Sequence, residues 1–123
     1  MSVASLLDES SAAAEAMTMC VNVNKKRKRF FVSKDVHPQT IGLIETRAKA
    51  LGVEVVIGDH STSDVDNGEY CGAIVQYPNT YGSIESGGES YESFAKRAHE
   101  GGAMVICATD LMALTRLAPP STW

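Results

Sequence analysis

Most of the chemistry this 123-residue sequence could perform sits in a few short polar groups. They are His37, Tyr77-Pro78-Asn79-Thr80 and Thr109-Asp110, polar groups placed where strands end and able to line a ligand site. Each has an ordinary reading as well. His37 can cap the helix that Pro38 opens, Asn79 and Thr80 can make a turn, and Asp110 can cap a short helix running to Leu117. Cys20, Cys71 and Cys107 are an odd set without CxxC spacing, which argues against a zinc knuckle or a disulfide framework and suits a reducing compartment. Cys71 and Cys107 adjoin apolar runs and read as small core fillers. No GxGxxG, P-loop or GxSxG motif occurs, and no metal-type His/Cys/Asp cluster.

What brings the polar groups together is the order of the elements. An Ala-, Glu- and Met-rich helix spans about Leu6 to Cys20, with Asp8, Glu9 and Ser10 near its start. After the basic run Lys25-Lys26-Arg27-Lys28-Arg29, Phe30-Phe31-Val32 forms a strand. Pro38 opens a second helix, since its missing N–H is not needed there. Ile41, Ile44, Ala48 and Leu51 repeat at helical spacing, and Gly52 ends it. Val53 to Ile57 is a second strand, and Gly58 to Tyr70 a polar surface excursion without hydrophobic period.

Gly72 to Tyr77 reads as a buried strand that stops at Pro78. Tyr91, Phe94, Ala95 and Ala98 mark a third helix, stopped by Gly101-Gly102, and Met104 to Ala108 is the last strand. Uninterrupted apolar strands alternating with amphipathic helices specify an α/β fold, a mostly parallel sheet with helices on both faces. No internal repeat or domain boundary interrupts residues 1–123. In such a sheet the carboxyl ends of the strands share one edge, where ligands bind. His37, Asn79-Thr80 and Thr109-Asp110 all fall on it.

Composition narrows the classes. With 44% hydrophobic and 21% charged residues the chain is built to fold. A net charge of −4 gives no general attraction to nucleic acid or anionic lipid. The five cations from Lys25 read as a solvated turn rather than a nucleic-acid contact, because no aromatic platform flanks them. No apolar stretch is long enough to span a membrane, and no targeting segment is expected in the chain: it lies upstream of Met1 or never existed.

Ser5-Leu6-Leu7-Asp8-Glu9, Ala12-Ala13-Ala14-Glu15-Ala16-Met17, His37-Pro38-Gln39-Thr40, Thr46-Arg47-Ala48, Gln76-Tyr77-Pro78 and Ala108-Thr109-Asp110-Leu111 stand in one order. Together they resemble the first half of glycine decarboxylase, the P-protein of the glycine cleavage system. The resemblance spans nearly the whole chain except Gly58–Tyr70 and the last residues. It implies part of the large domain of an aspartate-aminotransferase-type (fold type I) pyridoxal-phosphate enzyme, a glycine dehydrogenase of two related halves. The full enzyme, expected to be dimeric, decarboxylates glycine and passes the aminomethyl group to the lipoyl arm of the H-protein.

The family's cofactor-bearing lysine belongs to the second half, or second subunit. This chain is therefore expected to hold no cofactor and to be inactive alone. His37 and Asp110 resemble, in outline, the cofactor-binding positions that stack on the ring and face its nitrogen, here as relics of a duplicated site. No residue is expected to be catalytic or to bind metal. The family implies the mitochondrial matrix in a eukaryote and the cytoplasm in a bacterium. Two departures stand out: Val3 replaces the usual Asn, and Ser121-Thr122-Trp123 follows Pro119-Pro120 where the family continues with Gly-Glu, an ending expected of a shortened reading frame. From the sheet pattern alone, the competing reading is a non-catalytic α/β domain binding a small molecule or protein.

Overall fold

A computed structural model describes residues 6–84 and 88–122; Val3 and Trp123, which carry part of the two departures, lie outside them. In chain order the main elements are α1 (Glu9–Val23), β1 (Arg29–Ser33), α2 (Pro38–Leu51), β2 (Glu54–Gly58), β3 (Tyr70–Tyr77), α3 (Tyr91–Glu100) and β4 (Met104–Thr109). The four strands form one parallel sheet in the order β2-β1-β3-β4. The chain runs from β1 outward to β2, then returns to add β3 and β4 on the other side of β1. The junction of β1 and β3 is thus the switch point of the sheet, where two connections diverge and leave a crevice.

Alternation along the strands builds two cores, as a period of two requires. Phe30, Val32 and Ile74 join Met17 and Cys20 of α1 and Ile44 and Ala48 of α2. Phe31, Ala73 and Val75 face the other way, towards Phe94 and Ala98 of α3. Helices therefore cover both faces, as the sequence pattern requires. Between Arg29 and Phe30 the pairing with β3 slips by one residue. Gly72 then lies so close to α1 that a Cβ there would sit 2.7 Å from the Cys20 sulfur. Only a glycine allows that approach.

Several boundaries differ from the sequence reading. The first helix starts at Glu9 rather than Leu6, because Asp8 takes the cap and accepts the Ser11 N–H at 2.9 Å. It then runs past Cys20 to Val23. β2 runs Glu54–Gly58 rather than Val53–Ile57, and is a half-exposed edge strand. The polar stretch from Gly58 to Tyr70 is not purely a surface excursion, since His60 and Val65 within it are both fully buried. Arg97 on α3 fastens that stretch, donating to the carbonyls of His60 at 2.9 Å and Ser63 at 2.8 Å. The cation is balanced by Glu89, which takes its Nε at 2.9 Å and Nη2 at 2.8 Å.

The basic run is divided in its roles. Arg27 donates to the carbonyls of Gly101 at 2.7 Å and Tyr70 at 3.2 Å. Arg29 pairs with Glu54 and Glu69. Lys25, Lys26 and Lys28 are exposed. Two of the five cations therefore lock the amino ends of the strands, which is a structural duty.

Candidate functional site

A cleft of about 450 Å³ opens at the switch point, lined by Glu9, His37, Gln76, Pro78, Asn79 and the stretch from Ala108 to Leu111. The strand-end residues singled out in the sequence thus converge. His37 follows β1, Asn79 follows β3 and Asp110 follows β4, and all three reach one crevice. Glu9 enters it from the start of α1, and Gln76 from the last turn of the pleat of β3 before the cis Tyr77–Pro78 bond.

Hydrogen bonds stitch the rim. The His37 N–H donates to Gln76 Oε1 at 2.9 Å, and His37 Nδ1 lies 3.0 Å from the Thr80 hydroxyl. The Thr80 N–H donates to the Asp35 carbonyl at 2.9 Å, and the Asp110 N–H to the Tyr77 carbonyl at 3.3 Å. His37 stands at the cap position of α2, yet its side chain makes no cap bond. The ring is held by the neighbouring strand end instead.

Asn79 shapes its own turn, its Oδ1 accepting the N–H groups of Tyr81 and Ser83, both at 3.0 Å. Asp110 Oδ1 accepts the Met112 N–H at 3.0 Å. The helix anticipated beyond it is only a 3-10 turn, Ala113–Thr115. Glu9, read in the sequence as an acidic residue at a helix start, and Gln76, part of a short motif, were not placed at the site, although a lone amide ending an apolar strand was a usable signal.

The cysteines lie away from this chemistry. Cys20 and Cys71 are buried, and burial pushes the Cys20 thiol up to about 12 and raises that of Cys71. Cys107 is likewise pushed up to about 11, chiefly by burial. Thiols held so far into the protonated form are poor nucleophiles and fill space. Among the described residues no group of three His, Cys, Asp or Glu side chains could hold a metal ion. None of the described helices is long and apolar enough to cross a membrane.

Pyridoxal phosphate would ask three things of such a cleft: an imine lysine, N–H donors for its phosphate and a partner for its ring nitrogen. The lining residues do not fit. None is a lysine or arginine. Glu9 adds a carboxylate to the lining, which would repel a phosphate, and the Ser11 N–H at the same helix start is taken by Asp8. Asp110 has one oxygen committed to Met112, and the His37 ring is tied to Thr80. Lys34, nearest in sequence, is paired with Asp59 at 2.7 Å.

An open parallel sheet with helices on both faces and a crevice at its switch point defines the doubly wound α/β class. Comparison with known proteins narrows that class. The family model described as glycine cleavage system P-protein matches residues 1–123. The chain is 48% identical over 121 residues to the mitochondrial glycine dehydrogenase (decarboxylating) of Pisum sativum, covering 98% of this chain and 11% of that protein. It is also 48% identical over 118 residues to the glycine dehydrogenase (decarboxylating) of Nostoc punctiforme, covering 95% of this chain and 12% of that one.

A crystal structure of glycine decarboxylase (P-protein) in inhibitor-bound form superposes with a TM-score of 0.79 at 25% identity, covering 93% of this chain and 26% of that one. The chain belongs to the glycine cleavage system P-protein family, and its fold is the fold type I architecture of that enzyme. It spans about a tenth of the length of the curated relatives it matches.

Proposed function

We propose that this chain supplies part of the large domain of the first half of a glycine dehydrogenase (decarboxylating), as one wall of the sheet and not as the seat of the cofactor. The observation that carries this is the continuous family match over the chain, combined with a switch-point cleft that has no lysine and is lined by two carboxylates. In the complete protein, pyridoxal phosphate held by the second half supplies the electron sink for glycine decarboxylation. The lipoyl-bearing H-protein then receives the aminomethyl group, and the complete enzyme is a dimer. The site of action is the mitochondrial matrix in a eukaryote and the cytoplasm in a bacterium.

On this reading His37 and Asp110 are relics of a duplicated cofactor site. His37 now ties β1 to β3 through Thr80, and Asp110 sets the turn after β4. Neither is catalytic. The test is direct: the purified chain is mixed with pyridoxal phosphate, dialysed and scanned for imine absorbance. No retained band is expected. A band that survives dialysis, bleaches with borohydride and labels one lysine would place the cofactor here and overturn the reading.

A further inference from the structure

We propose that the outer edge of β4 pairs with the same edge of a second copy of this chain, antiparallel and about a two-fold axis at Cys107. In a parallel pair each residue turns its N–H and C=O to one side, and successive residues alternate. The Asp110 N–H reaches the Tyr77 carbonyl at the end of β3. Met104, Ile106 and Ala108 therefore bond to β3, and Val105, Cys107 and Thr109 turn their backbone groups outward. β4 is the outer strand on its side of the sheet, and among the described residues no other backbone reaches these outward groups. The Thr109 hydroxyl donates to the Cys107 carbonyl at 3.3 Å, on that same outward side. All six residues of β4 are part-exposed.

Charge selects this edge and its occupant. Edge strands resist pairing when they carry charge or proline, and residues 103–109 carry neither. β2, the other outer strand, begins on Glu54 and is followed by Asp59, which pairs with Lys34 at 2.7 Å. An uncharged strand repels no strand like itself, and a second copy supplies the same row of groups. Centring the pair on Cys107 sets Val105 opposite Thr109, so every outward residue meets an outward residue. Centring it on Ile106 would set Thr109 opposite Ala103, whose N–H is taken by the Ala98 carbonyl at 2.8 Å. The Cys107 register also brings Leu111 and Met112, 81% and 74% exposed, towards Ala103 and Gly102 of the second copy. No like charges meet, since Asp110 faces Met104. A two-fold pair closes on itself, so association stops at the dimer. The pairing concerns the chain by itself and does not rest on the reading above.

Sedimentation of the full chain from about 10 μM to about 1 mM, the range of weak pairing, is expected to show monomer passing to dimer. Hydrogen exchange at the two ends of that range reads the edge. The amides of Val105, Cys107 and Thr109 are expected to gain about tenfold or more protection in the dimer, with those of Val55 and Ile57 on β2 unchanged. Cys107→Pro removes an N–H that β3 does not use, and is expected to weaken the dimer about tenfold or more. Ile57 turns its N–H away from β1 by the same alternation, because Glu54 and Gly58 bond inward. Ile57→Pro is expected to leave the dimer unchanged.

A chain monomeric throughout, or a dimer whose three amides exchange as in the monomer, would overturn the proposal. So would a folded Cys107→Pro variant that dimerises as the native chain does. Assemblies that grow without limit and protect both outer strands would overturn it in favour of head-to-tail pairing of β4 with β2. If the proline variant does not fold, the exchange pattern of the native chain still decides.

Discussion

Arg97 shows how much one side chain organises away from the cleft. Its guanidinium ties the stretch around His60 and Ser63 to α3 while Glu89 balances its charge. Bonding to Arg97 holds the Glu89 carboxyl below its usual range. The unfolded chain therefore takes up a proton first, so this stabilisation is full at neutral pH and fades as pH falls through about 4 and below. Arg97→Ala removes the donor to the Ser63 carbonyl and leaves the His60 carbonyl and Glu89 with only the Ser63 and Ser93 hydroxyls, and is expected to cost roughly 1–3 kcal/mol. Hydrogen exchange should show faster exchange confined to the amides of 61–67, and in the native chain the same amides should loosen first in acid. Unchanged protection there would mean that the stretch is held by its apolar contacts alone.

His37 and Asp110 were legible as a pair because strand-end logic places both on one edge. Their partners were not, because a cap and a ring-to-hydroxyl contact look alike in a sequence. Burial of His60 and Val65 was equally invisible, since residues 58–70 have no hydrophobic period to signal an inward face.

Among the elements, β3 was the most readable and β2 the least. An eight-residue run of buried positions announces a central strand, whereas β2 is an edge strand half open to solvent. α2 matched its expected bounds because its signals are local: Pro38 at its first turn and Gly52, at φ 65°, just past its end. The start of α1 was misplaced by three residues because Leu6 and Leu7 look helical, and only the bond from the Ser11 N–H shows that Asp8 is the cap.

The packing of α1 on the sheet makes a paired prediction. Gly72→Ala drives a methyl into Cys20 and Phe30 and is expected to destabilise by about 1–3 kcal/mol. Gly42→Ala, in the middle of α2 with nothing within 4 Å of the new methyl, is expected to stabilise by roughly 0.5–1 kcal/mol. Urea unfolding of the two variants checks both signs, and a neutral Gly72→Ala would mean that α1 does not press on β3 as described.

At the scale of the molecule, β2 and β4 are the outer strands of the sheet, and large apolar side chains are exposed: Leu7 before α1, and Leu111, on the cleft lining, and Met112 after β4. Such edges and side chains suit a wall that other parts of a larger protein cover. The fold class followed from alternation of strands and helices, and the family from an ordered set of short motifs. Neither could reveal how the polar groups of the cleft are paired, because that depends on which atoms the fold brings within bonding distance.

This chain is expected to be interchangeable with its counterpart in a working glycine dehydrogenase, contributing architecture rather than cofactor chemistry. The most direct measurement replaces the 121 matching residues of the Pisum sativum enzyme with those of this chain and follows release of carbon dioxide from carboxyl-labelled glycine. The chimera is expected to keep at least a tenth of the parent activity with an unchanged cofactor spectrum. A soluble chimera that carries its full complement of cofactor yet releases no carbon dioxide would contradict the account.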